Sequence, residues 1–174
     1  MTYRNQLTAA MDLLASDPQT RFVGYGLKAG RAMGTLANVP EAQMVEMPVA
    51  EGLMTSAAIG MALCGFKPVV YFERCDFVTN AMDAIVNHLD KIKVISRGEF
   101  APACILRVTV GNSLKPNFTG PTHTQNLAEG IAHMVGFPVV ELLAAATVLP
   151  AYEAAIDGVG HGRSMMLVEF KDLL

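Results

Sequence analysis

The sequence has few basic residues, and they form no stripe. The chain of 174 residues carries 13 Lys and Arg against 16 Asp and Glu, a formal net charge of −3. A protein whose main partner is nucleic acid presents a concentrated basic face to the phosphates. This charge balance therefore argues against nucleic acid as a partner.

Long uncharged apolar runs are also missing. No segment has the length of a membrane span, and the N-terminal residues "MTYRNQLTAAMDLLASDPQ" lack the basic start and cleavage site of a secretory signal. The three cysteines, Cys64, Cys75 and Cys104, lack metal-ligand spacing and fall in segments that read as helix or strand. We expect them to be small core residues in a reducing compartment, which predicts a cytoplasmic protein with no membrane partner.

Apolar side chains, in contrast, are abundant. Hydrophobic residues make up 52% of the chain, enough to fill one core, and we expect a single domain over residues 1–174. The mean hydropathy of +0.35 and the 11 Met are high for a domain of this size. This composition predicts that another chain covers part of the apolar surface.

Helix and strand patterns alternate along the chain. The predicted helices cover residues 3–17, 50–63, 77–96, 126–135 and 149–157, and the predicted strands cover 21–26, 42–48, 67–72, 103–110, 138–144 and 164–170. This alternation is typical of a three-layer α/β/α domain with a mostly parallel sheet. Ligands of such sheets bind beyond the carboxyl ends of the strands, which directs attention to the loops at 24–34, 47–51 and 111–125.

One carboxylate, Glu51, stands at the head of a helix of apolar and very small residues, "GLMTSAAIGMAL". The helix dipole favours an acid in the first turn, so a helix-start residue with no further role is one interpretation. The small residues behind it, such as Gly52 and Gly60, let another group approach the backbone closely. They favour either tight packing within the fold or contact with a ligand or partner.

Five motifs follow one another in a specific order: "MPVAE", "AIGMALCGFKPVV", "CDF", "DAIVN" and "GPTHTQ". From about Arg21 to the strand "MMLVEF", this order resembles the pyrimidine-binding domain of thiamine-diphosphate enzymes. It is most similar to the β subunit of the E1 component of 2-oxoacid dehydrogenases, in the transketolase family. The resemblance implies the thiamine-diphosphate-binding fold of the pyrimidine-domain type, and a reaction that decarboxylates a small 2-oxoacid.

The resemblance also implies roles for individual residues. Glu51 corresponds to the catalytic glutamate that pairs with N1′ of the cofactor's aminopyrimidine ring. Phe77 corresponds to the aromatic residue that lies against this ring, and His123 to the active-site histidine that orients the substrate carboxylate or relays a proton. Two alternatives stay open: Phe77 as a core residue, and the preceding Asp76 as a helix N-cap.

Two positions depart from the pattern of the relatives. Tyr25 and Gly26 stand where the E1 β type carries an acidic pair, so a proton relay through those acids is missing. Glu73 and Arg74 stand where relatives tend to have apolar or neutral residues. They are either an exposed ion pair at a strand end, or Arg74 meets an anionic group of the substrate.

The sequence contains no "GDG" motif of the kind that holds magnesium and the diphosphate in the partner domain. By the resemblance, this chain supplies half an active site and no metal ligand. A diphosphate-binding α-type subunit then supplies the other half with its Mg²⁺, and we expect an α2β2 assembly.

The C-terminal domain of E1 β subunits and transketolases has no counterpart after "LVEFKDLL". Three hypotheses therefore stay open. The chain is the small subunit of a free-standing decarboxylase or carboligase, or an E1-like or transketolase-like subunit whose missing domain is encoded separately, or a non-catalytic scaffold.

Overall fold

The computed structural model describes residues 1–115 and 120–174, so part of the predicted loop at 111–125 lies outside the described residues. Within them, the strands are β1 (Thr20–Gly24), β2 (Met44–Glu46), β3 (Lys67–Phe72), β4 (Ile105–Val110), β5 (Val139–Glu141) and β6 (Met165–Phe170). The α-helices are α1 (Tyr3–Ala15), α2 (Glu51–Leu63), α3 (Ile92–Ile95), α4 (Ala128–Ala132) and α5 (Ala145–Gly160). Shorter helical segments include the 3₁₀ segments Cys75–Ala81 and Gly120–Thr122 and the π-helical segment Ala84–Leu89.

The strands form one sheet in the order β2-β1-β3-β4-β6-β5, and every pairing between described strands is parallel. Helices α1 and α5 and the segment after β1 pack on one face of this sheet. Helices α2 and α4 and the segment after β3 pack on the other. The predicted three-layer α/β/α arrangement is therefore confirmed.

The direction of each crossover explains where a ligand site can form. Connections that run towards the β5 edge of the sheet pass over the face that α2 covers, and connections that run back towards the β2 edge pass over the face that α1 covers. This is the arrangement expected when all crossovers have the same hand. The chain passes from β1 to β2 on one side, whereas β3 lies on the other side of β1. This change of direction opens a crevice at the carboxyl ends of β1 and β3.

Local sequence signals account for one boundary each of helices α1 and α2. Helix α1 begins after Thr2, whose Oγ1 accepts a hydrogen bond from the amide of Asn5 at 3.2 Å. Helix α2 ends before Gly65, whose φ of +88° is a left-handed conformation that glycine adopts without strain. Both boundaries agree with the sequence-based prediction to within two residues.

A charged network lies in the core beneath the α1 face. The guanidinium of Arg107 donates to both carboxylate oxygens of Glu169, at 2.7 and 2.9 Å, and to Thr35 Oγ1 at 2.8 Å. The hydroxyl of Tyr152 donates to the same carboxylate at 2.5 Å, and Arg107 lies 5.0 Å from the centre of the Tyr71 ring. Burial alone would lower the pKa of Arg107, but Glu169 reverses this effect and raises the pKa above its usual value.

Two expectations about the fold are wrong. The predicted helix over residues 77–96 is divided into the 3₁₀ segment, the π-helical segment and α3, and the residue just before it, Asp76, bonds to Gln125 on the loop that carries His123. Cys64 is exposed rather than part of the core, since it is the C-cap residue of α2, whereas Cys75 and Cys104 are buried as expected. In the described part of the chain, none of the helices combines the length and apolarity needed to cross a bilayer.

Candidate functional site

A cleft opens at the crevice between β1 and β3. It has a volume of about 190 Å³, and we call it the Glu51 cleft. Its walls come from the loops after β1, β2 and β3 and from the start of α2, and they consist of Tyr25, Val49, Glu51, Met54, Tyr71, Phe72, Glu73 and Phe77. Two of the residues predicted for the site, Glu51 and Phe77, therefore share one cleft.

Glu51 is the first residue of α2 and is only 8% exposed. The amide of the Asn80 side chain donates to its Oε2 at 3.4 Å. A carboxylate held at a helix start in apolar surroundings is stabilised by the helix dipole and keeps acceptor capacity for a donor in the cleft.

The small residues of α2 serve different purposes. A Cβ atom added at Gly52 would lie 3.2 Å from the carbonyl oxygen of Asn80, so this glycine lets the segment after β3 approach the helix. A Cβ atom at Gly60 would meet no other atom within 4 Å. Close packing within the fold therefore explains Gly52 and leaves Gly60 without a structural reason.

Phe77 and His123 contact each other. Their ring centres are 5.0 Å apart and their planes meet at 86°, an edge-to-face arrangement. The hydroxyl of Thr122 lies 2.9 Å from His123 Nδ1. The structure thus brings Glu51, Phe77 and His123 to one end of the sheet, with Phe77 between the cleft and the histidine.

Asp76 anchors the loop that carries His123. Its Oδ1 accepts hydrogen bonds from the backbone amide and the side-chain amide of Gln125, at 3.3 and 2.8 Å. Asp76 is 7% exposed, and its Oδ2 has no hydrogen-bond partner among the described residues. The N-cap alternative for Asp76 is wrong, because no side chain caps the 3₁₀ segment that begins at Cys75.

Gly111 fixes the other end of this loop. A Cβ atom at Gly111 would lie 1.7 Å from the carbonyl oxygen of His123, so no side chain fits there. Sequence reasoning missed Asn80, Gln125 and Gly111 as supports of the site. Gln125 alone had a local signal, because it ends the "GPTHTQ" motif.

Arg74 is buried, whereas an exposed ion pair would leave its side chain in solvent. Its side chain is 6% exposed and lies 3.3 Å from Glu73 Oε1, whereas the Glu73 side chain is 42% exposed. Its Nη1 also donates to the Glu73 carbonyl at 2.6 Å. The ion pair exists, but its arginine is buried, and of the two residues Glu73 is the one that lines the Glu51 cleft.

Among residues 1–115 and 120–174, no group of three or more His, Cys, Asp and Glu side chains has an arrangement that could hold a metal ion. The chemistry available in the Glu51 cleft is that of two carboxylates, Glu51 and Glu73, and four aromatic rings, with His123 beside the ring of Phe77. This set suits a flat heteroaromatic ligand with a protonated ring nitrogen.

Comparisons with known proteins confirm the predicted resemblance. No family model matches the chain. The chain is 29% identical over 146 residues to the mitochondrial pyruvate dehydrogenase E1 component subunit beta-2 of Oryza sativa subsp. japonica, covering 80% of this chain and 38% of that protein. It is 32% identical over 114 residues to the pyruvate dehydrogenase E1 component subunit beta of Mycoplasma pneumoniae, covering 61% of this chain and 34% of that protein.

A solved structure shares the fold. The split gene transketolase, described as an inactive β4 tetramer, superposes with a TM-score of 0.75 and 14% identity, over 98% of this chain and 52% of that chain. At this identity the likeness concerns the fold alone. The chain spans less than half the length of the curated relatives it matches, 38% and 34% for the two above.

Proposed function

We propose that the chain is the small, pyrimidine-binding subunit of a heteromeric thiamine-diphosphate enzyme that decarboxylates a 2-oxoacid. The observation that carries this proposal is the cleft shared by Glu51 and Phe77, with His123 in contact with Phe77. The sequence similarity to E1 β subunits supports the same conclusion.

The residues of the Glu51 cleft fit an aminopyrimidine ring. Glu51 offers a carboxylate acceptor for a protonated ring nitrogen, and Asn80 already bonds to one of its oxygens. Val49, Met54 and Phe77 supply apolar walls against which a flat ring can pack. When bound, thiamine diphosphate supplies the electron sink that decarboxylation of a 2-oxoacid requires.

The chain's own residues then have distinct tasks. Glu51 holds the proton shared with the ring nitrogen, and the ring of Phe77 fixes the plane of the pyrimidine. His123, placed by Phe77 and Asp76, orients the substrate carboxylate or relays a proton. Arg74 is directed at Glu73, so we propose a substrate contact for His123 rather than for Arg74.

A partner chain completes this site in our proposal. A diphosphate-binding α-type subunit holds the diphosphate and Mg²⁺, and the assembly is α2β2. Exposed apolar side chains at Val49 and Leu53 beside the start of α2 support such contact, since both are more than half exposed. The cytoplasmic location and the single-domain organisation stay predictions.

Co-expression with a diphosphate-binding partner tests the proposal. We expect the complex to bind thiamine diphosphate with Mg²⁺ and to release carbon dioxide from a 2-oxoacid. Glu51→Gln should keep the fold, measured by circular dichroism, and abolish turnover. The matched control is Glu153→Gln, an exposed acid on α5, which should leave turnover unchanged.

Three outcomes would contradict the proposal. Full activity of the Glu51→Gln complex would remove the assigned role of this carboxylate. Tight binding of the complete cofactor by the isolated chain would exclude a half-site. A complex that binds the cofactor and releases no carbon dioxide from any 2-oxoacid would favour the scaffold or transketolase-like alternatives.

A further inference from the structure

A second pocket adjoins the Glu51 cleft. It has a volume of about 330 Å³ and shares Tyr25, Tyr71 and Glu73 with the cleft. Its other wall belongs to the loop after β1 and consists of Gly26, Ala29, Gly30, Ala32 and Met33. We call it the outer pocket. The two pockets form one groove across the carboxyl ends of β1 and β3.

The loop wall of the outer pocket contains a left-handed turn. Residues 31–34 all have positive φ angles, at 46°, 40°, 57° and 84°. Such backbone costs roughly 1–2 kcal/mol for each non-glycine residue, so it persists only where the surroundings hold it. Arg4 Nη1 donates to the Met33 carbonyl at 2.8 Å, and Arg31 pairs with Glu41 at 2.9 Å. The pocket wall is therefore fixed before any ligand arrives.

Glu73 is the only charged residue among the described residues that line the outer pocket. Glu73 lines both pockets, and its carboxylate lies 3.3 Å from the buried Arg74. The remaining lining is made of two tyrosines and small or apolar residues. No cation lines the pocket in the described part of the chain, and Arg74, the partner of Glu73, is buried, so an anionic ligand group would face the Glu73 carboxylate rather than a cation.

We propose that the outer pocket binds the far end of the substrate and that Glu73 accepts a hydrogen bond from it. This inference rests on the proposed function. Its favoured ligand class is a substrate with a distal hydroxyl or ammonium group, and it disfavours a second carboxylate or a phosphate. The volume equals that of about ten liquid waters, enough for a chain of several carbons.

Binding of small probes to the full chain tests the pocket without turnover. The probes are butan-1-ol, butylammonium and butanoate, which share one carbon chain and differ in the end group. We expect the first two to shift the amide resonances of Gly26 and Gly30 saturably in ¹⁵N NMR spectra, and butanoate to shift them at least tenfold less. The ratio of the dissociation constants of butan-1-ol and butylammonium shows whether the pocket prefers a hydroxyl or an ammonium donor.

Four variants test whether the resonance shifts come from probes bound in the outer pocket. Glu73→Met should weaken binding of both donor probes at least tenfold, and Ala29→Leu should block all three probes by filling the pocket. Ala37→Leu on the same loop and Glu153→Met on α5 change similar side chains outside both pockets and should bind like the wild type. If Glu73→Met unfolds because Arg74 loses its partner, Ala29→Leu still decides whether the probes occupy this pocket.

The assembled enzyme gives the second measurement. We expect kcat/KM for 5-hydroxy-2-oxopentanoate to exceed that for 2-oxopentanedioate at least tenfold, and Glu73→Met to remove this preference. Equal binding of the three probes, or equal loss of kcat/KM for all substrates in Glu73→Met, would overturn the inference. Donor-selective probe binding in a chain whose complex decarboxylates nothing would instead leave the pocket in place and reject the proposed function.

Discussion

The ring of His123 meets the ring of Phe77 edge to face, with centres 5.0 Å apart. The two residues follow different strands, β3 and β4, so this contact joins two separate connections of the sheet. Aromatic pairs of this geometry contribute about 0.5–1.5 kcal/mol beyond the area they bury. The position of the histidine therefore depends on the residue that lines the cleft.

A double-mutant cycle measures this dependence. We expect Phe77→Leu and His123→Ala to show a coupling of about 1 kcal/mol in urea unfolding, because each variant alone removes the ring contact. Phe77→Leu should also shift the ring proton resonances of His123, since the ring current of Phe77 is lost. Phe100→Leu, at an exposed phenylalanine, serves as control. Additive unfolding energies with unchanged histidine resonances would contradict the contact.

Asp76 is a positioning residue for the loop of His123. We expect Asp76→Ala to lower the free energy of unfolding by about 1.5–3 kcal/mol, because the two donors of Gln125 lose a charged acceptor. Asp76→Asn should restore most of this loss, as it keeps an oxygen at the same place. The exposed Asp83→Ala is the matched control. Thermal or urea unfolding decides the point, and equal losses in the Ala and Asn variants would show that hydrogen bonding to Oδ1 is not the cause.

Removal of one partner of the Arg107–Glu169 ion pair should lower the free energy of unfolding more than replacement of both residues by apolar ones. Removal of one partner leaves a buried charge unpaired, so Arg107→Met or Glu169→Leu alone should cost about 3–5 kcal/mol. The double variant should cost much less than the sum. Arg163→Met, at an exposed arginine 3.8 Å from Asp157, should cost less than about 1 kcal/mol. Additive losses in urea titrations would mean that the pair does not act as a unit.

The protein should lose stability in alkaline solution. Burial raises the pKa of the Cys104 thiol from 9.0 to about 12 and that of the Tyr71 hydroxyl from 10.0 to about 12. Because the folded chain favours the neutral forms, their contribution is complete below pH 9 and falls as the pH rises towards 12. Cys104→Ala should therefore flatten the decline of unfolding free energy between pH 9 and 12.

The exposed Cys64 supplies the control for this titration. Cys64→Ala should leave the alkaline decline unchanged, because Cys64 is exposed and its replacement removes no buried thiol. Urea unfolding at half-unit pH steps measures both variants. If the unfolding free energy of Cys104→Ala still declines at the wild-type slope, ionisable groups other than Cys104 cause the alkaline loss of stability.

Much of the fold could be predicted from the sequence. Periodicity and turn residues give the order of helices and strands, and Gly65 marks the end of α2 within a residue. The division of residues 77–96 into 3₁₀, π-helical and α-helical segments could not be predicted, since helical periodicity does not distinguish these helix types and does not reveal that Asp76 bonds to Gln125.

The residues of the candidate site also fall into two groups, those that the sequence predicts and those that only the structure reveals. Glu51, Phe77 and His123 stand in motifs, and their mutual placement follows once the sheet order is known. Asn80, Gly111 and the buried state of Arg74 depend on which backbone approaches them in three dimensions. The burial of Arg74 is the clearest case, because a charged residue beside Glu73 at a strand end is typical of an exposed pair.

The outermost strands of the sheet, β2 and β5, have three residues each, whereas β3, β4 and β6 have six. Unpaired backbone groups of long edge strands can template the addition of strands from other molecules. Here the edges are too short to offer more than a few such groups. The two edges of the sheet therefore offer little template for edge-to-edge aggregation of the isolated chain.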